Sequence, residues 1–242
     1  MLWLVLFMGP QPDSGKRANK KSMSYSIKTK NEKYIRFLKQ RGIIKFIYFT
    51  LRRSFFFFYK YCFKKCEKIF IAGSFQITGK ENIEIGSFSA GSRIRIDAIK
   101  IFEKQTFKPK IIIANNVVVN NDFHLACTGS IYIGNNVLIG SNVFITDHDH
   151  GIYSADISEA SSPHVRPALR KLTANGYVNI GDNVFIGEYV SILKNVTIGQ
   201  GAVLGAHSLV TKSIPDYSLA VGNPAKVIKY YNFKTNRWES CK

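Results

Sequence analysis

Apolar residues open a six-residue repeat along much of the chain, and a small residue follows four positions after most of them. The clearest run, residues 180–215, reads IGDNVF, IGEYVS, ILKNVT, IGQGAV, LGAHSL and VTKSIP, and an earlier run, residues 133–150, reads IGNNVL, IGSNVF and ITDHDH. A fixed period of this length predicts a β-solenoid, in which each repeat supplies one short strand and one corner. Gly, Asn and Asp suit the corners because they tolerate positive φ.

The repeat also divides the chain. We expect an all-β solenoid over residues 77–215, interrupted by a protruding polar loop at 151–177. Such an excursion from a rigid scaffold is where function is often concentrated. Residues 216–242 form a tail that we expect to fold back as a short helix or strand. Residues 1–30 are interpreted as a disordered extension or as a mis-called start, with Met23 as the alternative first residue.

Residues 31–76 are basic and aromatic, and their pattern predicts a helical segment. The run Phe55–Phe58 is flanked by Arg53 and Lys60. No uncharged stretch reaches the roughly 20 residues that a membrane-spanning helix needs. Two interpretations remain open: an amphipathic helix lying on an anionic membrane surface, and a cap over the exposed end of the solenoid.

The charge balance indicates an anionic partner. Lysine and arginine outnumber aspartate and glutamate by 34 to 16, so the formal net charge is +18. A phosphorylated cofactor, acidic lipid or nucleic acid would each satisfy that excess. Nucleic acid is not expected, because no binding motif for it is present and the aromatic-basic cluster lies outside the repeats. The four cysteines form no Cys-x-x-Cys pair, which favours a reduced, cytoplasmic location.

Histidines at the long interruption are the first candidates for chemistry. His148 and His150 close the hexad that precedes the loop. In a strand, residues two apart share a face, so both imidazoles would project from one side. Histidine is the usual general base near neutral pH. Exposure at a corner without any catalytic role is the alternative interpretation.

The sequence resembles the hexapeptide-repeat acetyltransferases over residues 77–229. The segment from IGDNVF to the VTKSIP exit and the GNPAKVI tail carries the resemblance, together with RIDAI at 95–99. In layout it is similar to the bacterial O-antigen and capsule O-acetyltransferases and to the galactoside and maltose acetyltransferases. The resemblance implies a left-handed parallel β-helix, a homotrimer with active sites between subunits, and acetyl-coenzyme A as co-substrate without a required metal. The implied acceptor is a sugar hydroxyl of a surface polysaccharide or its precursor, free or lipid-linked.

Site residues follow from the resemblance position by position. An ungapped comparison from the hexad at Gly134 places the catalytic histidine on His150, and a shift of two residues places it on His148. The acceptor-orienting asparagine falls on Asn120, and an acidic sugar-binding position falls on Thr128. A backbone amide facing the thioester oxygen would come from Glu188. The remaining coenzyme A contacts match Ala206, Thr211, Lys212 and Lys226.

Two other classes of protein compete with this interpretation. A γ-type carbonic anhydrase has a similar β-helix with three zinc-binding histidines, and His124, His148 and His150 would be the ligands here. The long loop and the NPAKVI tail favour acyl transfer over that alternative. A non-catalytic basic scaffold is the second alternative. Peripheral contact of a cytoplasmic protein with the inner face of the membrane is compatible with acyl transfer.

Overall fold

The computed structural model describes residues 43–44, 47–153 and 160–241. The predictions for residues 1–30, and those for 31–42, lie outside these ranges. The chain divides between Phe58 and Tyr59 into two units. In the first unit the described residues are helical, and the helix continues to residue 59. In the part of the chain that the structure describes, no helix is both long enough and apolar enough to cross a membrane.

The helix carries an exposed apolar stripe. Ile47, Leu51, Phe55 and Phe58 recur at the three- and four-residue spacing of one helical face. They are 51%, 66%, 50% and 68% exposed, and Ile44 is 81% exposed. A 3₁₀ turn, Lys60–Cys62, follows the helix.

The second unit is a parallel β-helix with three ladders of strands. The first ladder contains the N-terminal part of β3 (Ile83–Ala90), then β7 (Lys110–Ile113), β10 (Ser130–Ile133), β13 (Tyr177–Ile180) and β16 (Val196–Ile198). The second contains the C-terminal part of β3, then β8 (Val117–Val119), β11 (Leu138–Ile139), β14 (Phe185–Ile186), β17 (Val203–Leu204) and β19 (Ser218–Val221). The third contains β2 (Phe75–Thr78), β4 (Ile94–Ala98), β9 (His124–Cys127), β12 (Phe144–Thr146), β15 (Ser191–Ile192) and β18 (Leu209–Val210).

Identical apolar positions stack through the core. In the first ladder, Ile113, Ile133, Ile180 and Ile198 are register partners and are all 0% exposed. Burying each such side chain contributes on the order of 1.5–3 kcal/mol. The six-residue period therefore reflects a physical requirement, because one inward apolar residue is needed per strand.

The corners use left-handed backbone conformations. Asn116, Asn136 and Asn183 have φ near +58° to +59°. The Nδ2 group of Asn116 donates to Oδ1 of Asn136, and Asn136 Nδ2 donates to Asn183 Oδ1, each at 3.1 Å. Asparagine tolerates positive φ and its amide links one coil to the next, which explains why the corners favour it.

The solenoid begins earlier than residue 77. Strand β1 (Lys65–Ile71) runs parallel to β3, and Ile69 and Ile71 are 3% and 0% exposed. The prediction of a helical segment through residue 76 is therefore wrong beyond the 3₁₀ turn. The alternation of KCEKIFI puts every second apolar residue inward, which is the strand period.

Three accessory segments complete the unit. Strands β5 (Ile101–Phe102) and β6 (Gln105–Thr106) form an antiparallel pair beside the third ladder. The long loop contains a 3₁₀ turn, Pro167–Leu169, and the next coil begins with β13. The tail folds back as two antiparallel strands, β20 (Lys226–Asn232) and β21 (Arg237–Ser240), as the strand alternative predicted.

Candidate active site

The third ladder turns a corner immediately after β12, and Asp147 lies there with its side chain 0% exposed. Its Oδ1 accepts a hydrogen bond from the Thr128 amide at 2.8 Å, and its Oδ2 accepts one from the Gly129 amide at 2.7 Å. Burial alone would raise the pKa of this carboxyl. Hydrogen bonds from His148, the two amides and the Cys127 thiol outweigh burial and hold the pKa below its usual value.

His148 is oriented by this buried carboxylate. Its Nδ1 lies 2.9 Å from Asp147 Oδ1. An ionised carboxylate only accepts, so Nδ1 carries the proton and Nε2 is left as the basic nitrogen. The side chain is 11% exposed. Within residues 47–153 and 160–241, no hydrogen bond engages Nε2, so the imidazole is prepared to accept a proton there.

His150 has different surroundings. Strand β12 ends at Thr146, so the strand geometry that would put both imidazoles on one face does not reach them. Nε2 of His150 lies 2.6 Å from the Pro167 carbonyl oxygen and therefore carries a proton. Its ring also packs edge-on against Phe102, with centroids 5.2 Å apart. These contacts attach His150 to the long loop and the β5–β6 hairpin.

The described part of the long loop is held by polar contacts. Tyr153 donates its hydroxyl to the His150 carbonyl at 2.9 Å, and Arg170 donates to the Tyr153 hydroxyl at 3.1 Å. Gln105 in β6 bonds both backbone groups of Leu172, at 2.8 and 3.0 Å. The hairpin and the loop thus form one wall beside the corner that bears His148.

The positions predicted to bind the acceptor are separated. Thr128 is 2% exposed, and both its amide and its hydroxyl point to Asp147 Oδ1, at 2.8 and 3.3 Å. Its described contacts therefore hold the carboxylate. Asn120 follows β8 and bonds Ile139 through its backbone amide at 2.9 Å. It lies at the corner before β9, whereas Thr128 lies at the corner after β9.

The predicted cofactor positions also fall into two groups. Glu188 and Ala206 are stacked at the corner that leads into β15 and β18. The backbone at Gly187 lies against that of Ala206, since a Cβ added to Gly187 would be 2.7 Å from the Ala206 nitrogen. Thr211 and Lys212 follow β18, at the opposite end of the strand. Lys226 opens β20 beside Ala225, whose amide donates to Leu209 at 2.8 Å. All five residues are exposed, and none belongs to the core.

The register connects one group to the histidine. Ile145, Ile192 and Val210 are partners in successive coils, and the Leu193 amide donates to Val210. Continuing that register by one residue places Thr146, Leu193 and Thr211 in one column. Adjacent strands are about 4.8 Å apart, so Thr211 lies roughly 10 Å along the axis from Thr146. An extended cofactor bound at Thr211 can therefore reach the corner of His148.

The described residues do not form the carbonic anhydrase ligand set. His124, His148 and His150 bond to Asp97, Asp147 and Pro167 respectively. Across the described ranges, no three histidine, cysteine or acidic side chains are grouped so as to hold a metal ion.

The sequence pattern did not single out Asp147, Asp97 or Arg95 as candidate site residues. Asp147 was visible only as the residue between Thr146 and His148 in ITDHDH. Its role depends on amides at 128 and 129, which the register brings beside it from the preceding coil. Arg95 and Asp97 were noted only as part of a motif.

Comparison with known proteins agrees with the fold. A model of the bacterial transferase hexapeptide family, with six repeats, matches residues 177–212. A crystal structure of a variant of AntD, an N-acyltransferase from Bacillus cereus, bound to dTDP and coenzyme A, superposes with a TM-score of 0.56. That superposition covers 74% of this chain and 90% of AntD at 21% identity, a level that supports the fold alone.

Sequence relatives extend the comparison. The Escherichia coli K12 protein WbbJ, which carries the name of a lipopolysaccharide biosynthesis O-acetyl transferase, is 40% identical over 155 residues, covering 64% of this chain and 74% of WbbJ. A Staphylococcus aureus protein of strain MRSA252 that carries the name of an acetyltransferase is 42% identical over 128 residues, covering 48% of this chain and 62% of the relative. The chain thus spans about three quarters of the first relative and less than two thirds of the second. It belongs to the hexapeptide-repeat acetyltransferases, with their left-handed parallel β-helix, and is an acyltransferase.

Proposed function

We propose that this chain transfers an acetyl group from acetyl-coenzyme A to a sugar hydroxyl of a bacterial surface polysaccharide, O-antigen or capsule, or of its precursor. Relatedness to WbbJ supports the acceptor class. The observation that carries the chemistry is the hydrogen bond from His148 to buried Asp147, which leaves Nε2 as the basic nitrogen. We assign the general base to His148 and a loop-anchoring role to His150.

The proposed step needs a base because a sugar hydroxyl is a poor nucleophile at neutral pH. His148 Nε2 accepts the hydroxyl proton while the oxygen forms its bond to the acetyl carbon. The carbon–sulfur bond then breaks, and the imidazolium returns the proton to the leaving sulfur. General base catalysis of this kind contributes about 10²- to 10⁴-fold in rate. Asp147 stabilises the imidazolium that forms between the two transfers.

Other residues supply binding and charge. The Glu188 amide donates none of the hydrogen bonds found in the described residues. It is therefore available to the oxygen that gains negative charge in the transition state. Lys212 and Lys226 are exposed cations on the last coil and the tail, suited to the phosphates of coenzyme A. Asn120 would orient the acceptor hydroxyl by its side-chain amide.

The two groups of site residues favour a homotrimer. Asn120, Glu188 and Ala206 lie at the corner before the third-ladder strands, and His148 and Thr211 lie at the corner after them. Within a chain, the two groups are separated by the length of one strand. Apposition of two chains would bring opposite corners together, so the complete site would be shared. A monomeric mass in light scattering of the active protein would contradict this arrangement.

The exposed helix supports peripheral binding to an anionic membrane surface. Its apolar stripe at Ile47, Leu51 and Phe58 is followed by basic residues such as Lys64 and Lys65. This combination is typical of interfacial helices and would suit a lipid-linked acceptor on the inner face of the membrane. Leu51→Glu together with Phe58→Glu should abolish flotation with vesicles containing phosphatidylglycerol. Undiminished flotation of that variant would refute the assignment.

The base is tested with His148→Ala and His150→Ala. Thiol release from acetyl-coenzyme A should be measured with purified lipopolysaccharide O-antigen and capsule fragments as acceptors, with product mass analysis. We expect His148→Ala to lose about 10²- to 10⁴-fold of the rate. His150→Ala should lose less than about tenfold, because it removes one loop hydrogen bond. Full activity of His148→Ala, or an inactive His150→Ala with an unchanged melting temperature, would overturn the assignment.

A further inference from the structure

The outward side of the third ladder carries a second polar group next to the catalytic corner. We define the shelf as Arg95, Asp97, His124 and Phe144. Arg95 is the register partner of His124, and His124 is the partner of Phe144 in the next coil. The three side chains therefore form one column with a spacing of about 4.8 Å. None of them takes part in the proton transfer described above.

Asp97 fixes the polar members of the shelf. It is 5% exposed, and its Oδ1 accepts a hydrogen bond from the Thr78 hydroxyl at 2.9 Å. Its Oδ2 accepts from Arg95 Nε at 2.5 Å and lies 3.3 Å from His124 Nε2. A buried carboxylate with these partners holds both side chains in one geometry before any ligand arrives. Such preorganisation reduces the cost of binding.

The outer atoms of the shelf remain available. His124 Nε2 donates to the carboxylate, so its Nδ1 is an acceptor. The His124 side chain is 34% exposed and that of Arg95 is 55% exposed. Neither His124 Nδ1 nor the terminal amino groups of Arg95 bond to any residue in the ranges that the structure describes. Burial and the neighbouring Arg95 charge lower the pKa of His124, which keeps the ring uncharged.

Phe144 adds an apolar surface to this donor and acceptor. Its ring is half-buried, and its centroid lies 5.1 Å from that of His124. A pyranose ring presents an apolar C–H face and hydroxyls around its edge. A site built from one aromatic face and a few placed polar groups matches that shape. The Asp97 charge balances the Arg95 charge, so an uncharged sugar suits the shelf better than an anionic one.

We propose that the shelf is a glycan subsite that binds an uncharged pyranose ring next to the sugar that is acetylated. The assignment rests on the proposed function, because it names part of the acceptor of the same site. Asp97 of the shelf shares a second column with Ala126 and Thr146. The Thr146 hydroxyl lies 3.3 Å from His148 Nδ1, so the shelf adjoins the catalytic pair. A chain of sugars can therefore contact both groups at once.

Saturation-transfer NMR with the full chain tests the shelf directly. The probes are methyl α-D-galactopyranoside, methyl α-D-glucopyranoside, methyl α-L-rhamnopyranoside and the anionic methyl α-D-glucuronide. We expect at least one neutral glycoside to bind, and binding to weaken about tenfold in Arg95→Gln and in His124→Gln. Phe144→Leu keeps an apolar side chain and all polar contacts, and it should also weaken binding. It tests the shelf even if the polar variants fail to fold. Arg93→Gln, which changes an exposed arginine paired with Asp122, is the matched control and should bind normally.

The outcomes separate this inference from the proposed function. His148→Ala should lose acetyl transfer yet retain glycoside binding, whereas the shelf variants should raise the acceptor KM about tenfold with little change in acetyl-coenzyme A hydrolysis. Absence of binding by every neutral glycoside overturns the shelf, as does unchanged binding in all three shelf variants. Preferential binding of the glucuronide also overturns it. If no variant, His148→Ala included, lost acetyl transfer, the assignment of His148 as the base would be refuted instead.

Discussion

Replacing Asp147 by asparagine tests whether a buried carboxylate prepares His148 for proton transfer. The substitution keeps the shape of the side chain but converts one oxygen into a hydrogen-bond donor. Both carboxylate oxygens are in use, because Oδ1 accepts from Thr128 and His148 and Oδ2 accepts from Gly129. An asparagine amide can satisfy only one of these two sides.

Either orientation of the amide has a definite cost. With its NH₂ toward Gly129, a buried backbone donor faces another donor and about 1–3 kcal/mol of stability is lost. With its NH₂ toward His148, Nδ1 must become the acceptor and the proton moves to Nε2, the nitrogen that acts as base. Losing a hydrogen bond to a charged group is worth about 1.5–3 kcal/mol, so kcat should fall roughly 10- to 150-fold.

The assay is thiol release as a function of pH, together with thermal unfolding. Because Asp147→Asn removes the negative charge that stabilises the imidazolium, the acid limb of the pH–rate profile should move to lower pH. The KM for acetyl-coenzyme A should change little. Asp149→Asn is the matched control, since Asp149 lies two residues away and pairs with Lys194. Its rate should stay within about twofold, as expected for a partly exposed ion pair.

A kcat loss in Asp147→Asn without any shift of the acid limb would refute this reasoning. It would show that the carboxylate acts only in folding. An equal loss in Asp149→Asn would likewise show that the effect is a general response of this corner to lost charge.

Two further predictions concern stability and backbone packing. Because the folded-state pKa of His124 lies below 6.5, the unfolded chain binds a proton that the folded chain resists, so stability should fall as pH drops through about 6.5. The free energy of unfolding of His124→Gln, measured with urea, should change less between pH 7.5 and 5.5 than that of the wild type. An equal change in the two proteins would contradict the attribution of this pH dependence to His124. A Cβ at Gly176 would lie 1.7 Å from the Asp147 carbonyl oxygen, which is backbone. Gly176→Ala should therefore displace the catalytic corner and lower acetyl transfer about 10²-fold, whereas Gly205→Ala meets a Val221 methyl at 2.6 Å and should cost less; equal activities would exclude this coupling.

The coils were predictable because their cause is local. Each hexad needs one inward apolar residue and a corner that tolerates positive φ, and both requirements can be recognised in the amino-acid sequence. The loop departs from the period, whereas the second ladder continues past residue 215 into β19 (Ser218–Val221), which lies inside the predicted tail. The start of the solenoid was misplaced because residues 65–71 alternate without completing a hexad, and the neighbouring aromatic run is indeed helical.

The proposal of His148 rather than His150 as the base depends on contacts that the period does not contain. The hexad ITDHDH continues the pattern, yet the strand ends at Thr146. Asp147 turns inward there to reach two amides that lie about twenty residues earlier in the chain. The shelf has the same origin, because Arg95 and His124 meet only through the register of β4 and β9. Spacing along the chain does not by itself reveal which side chains the register of neighbouring coils brings together.

The residues that we propose for the site are divided between two corners, and this division is the main reason for proposing a shared active centre. Within one chain, β9 separates Asn120 from the corner of Thr128, and β18 separates Ala206 from Thr211. The inward residues of these short strands are packed in the core, so no movement within a coil can close the gap without exposing them. Asn120→Ala and His148→Ala are therefore complementary defects. Mixing the two inactive variants under conditions that allow subunit exchange should restore part of the activity, because some interfaces would combine an intact Asn120 with an intact His148. Failure to regain activity, with exchange verified by mass-tagged subunits, would confine the site to a single chain.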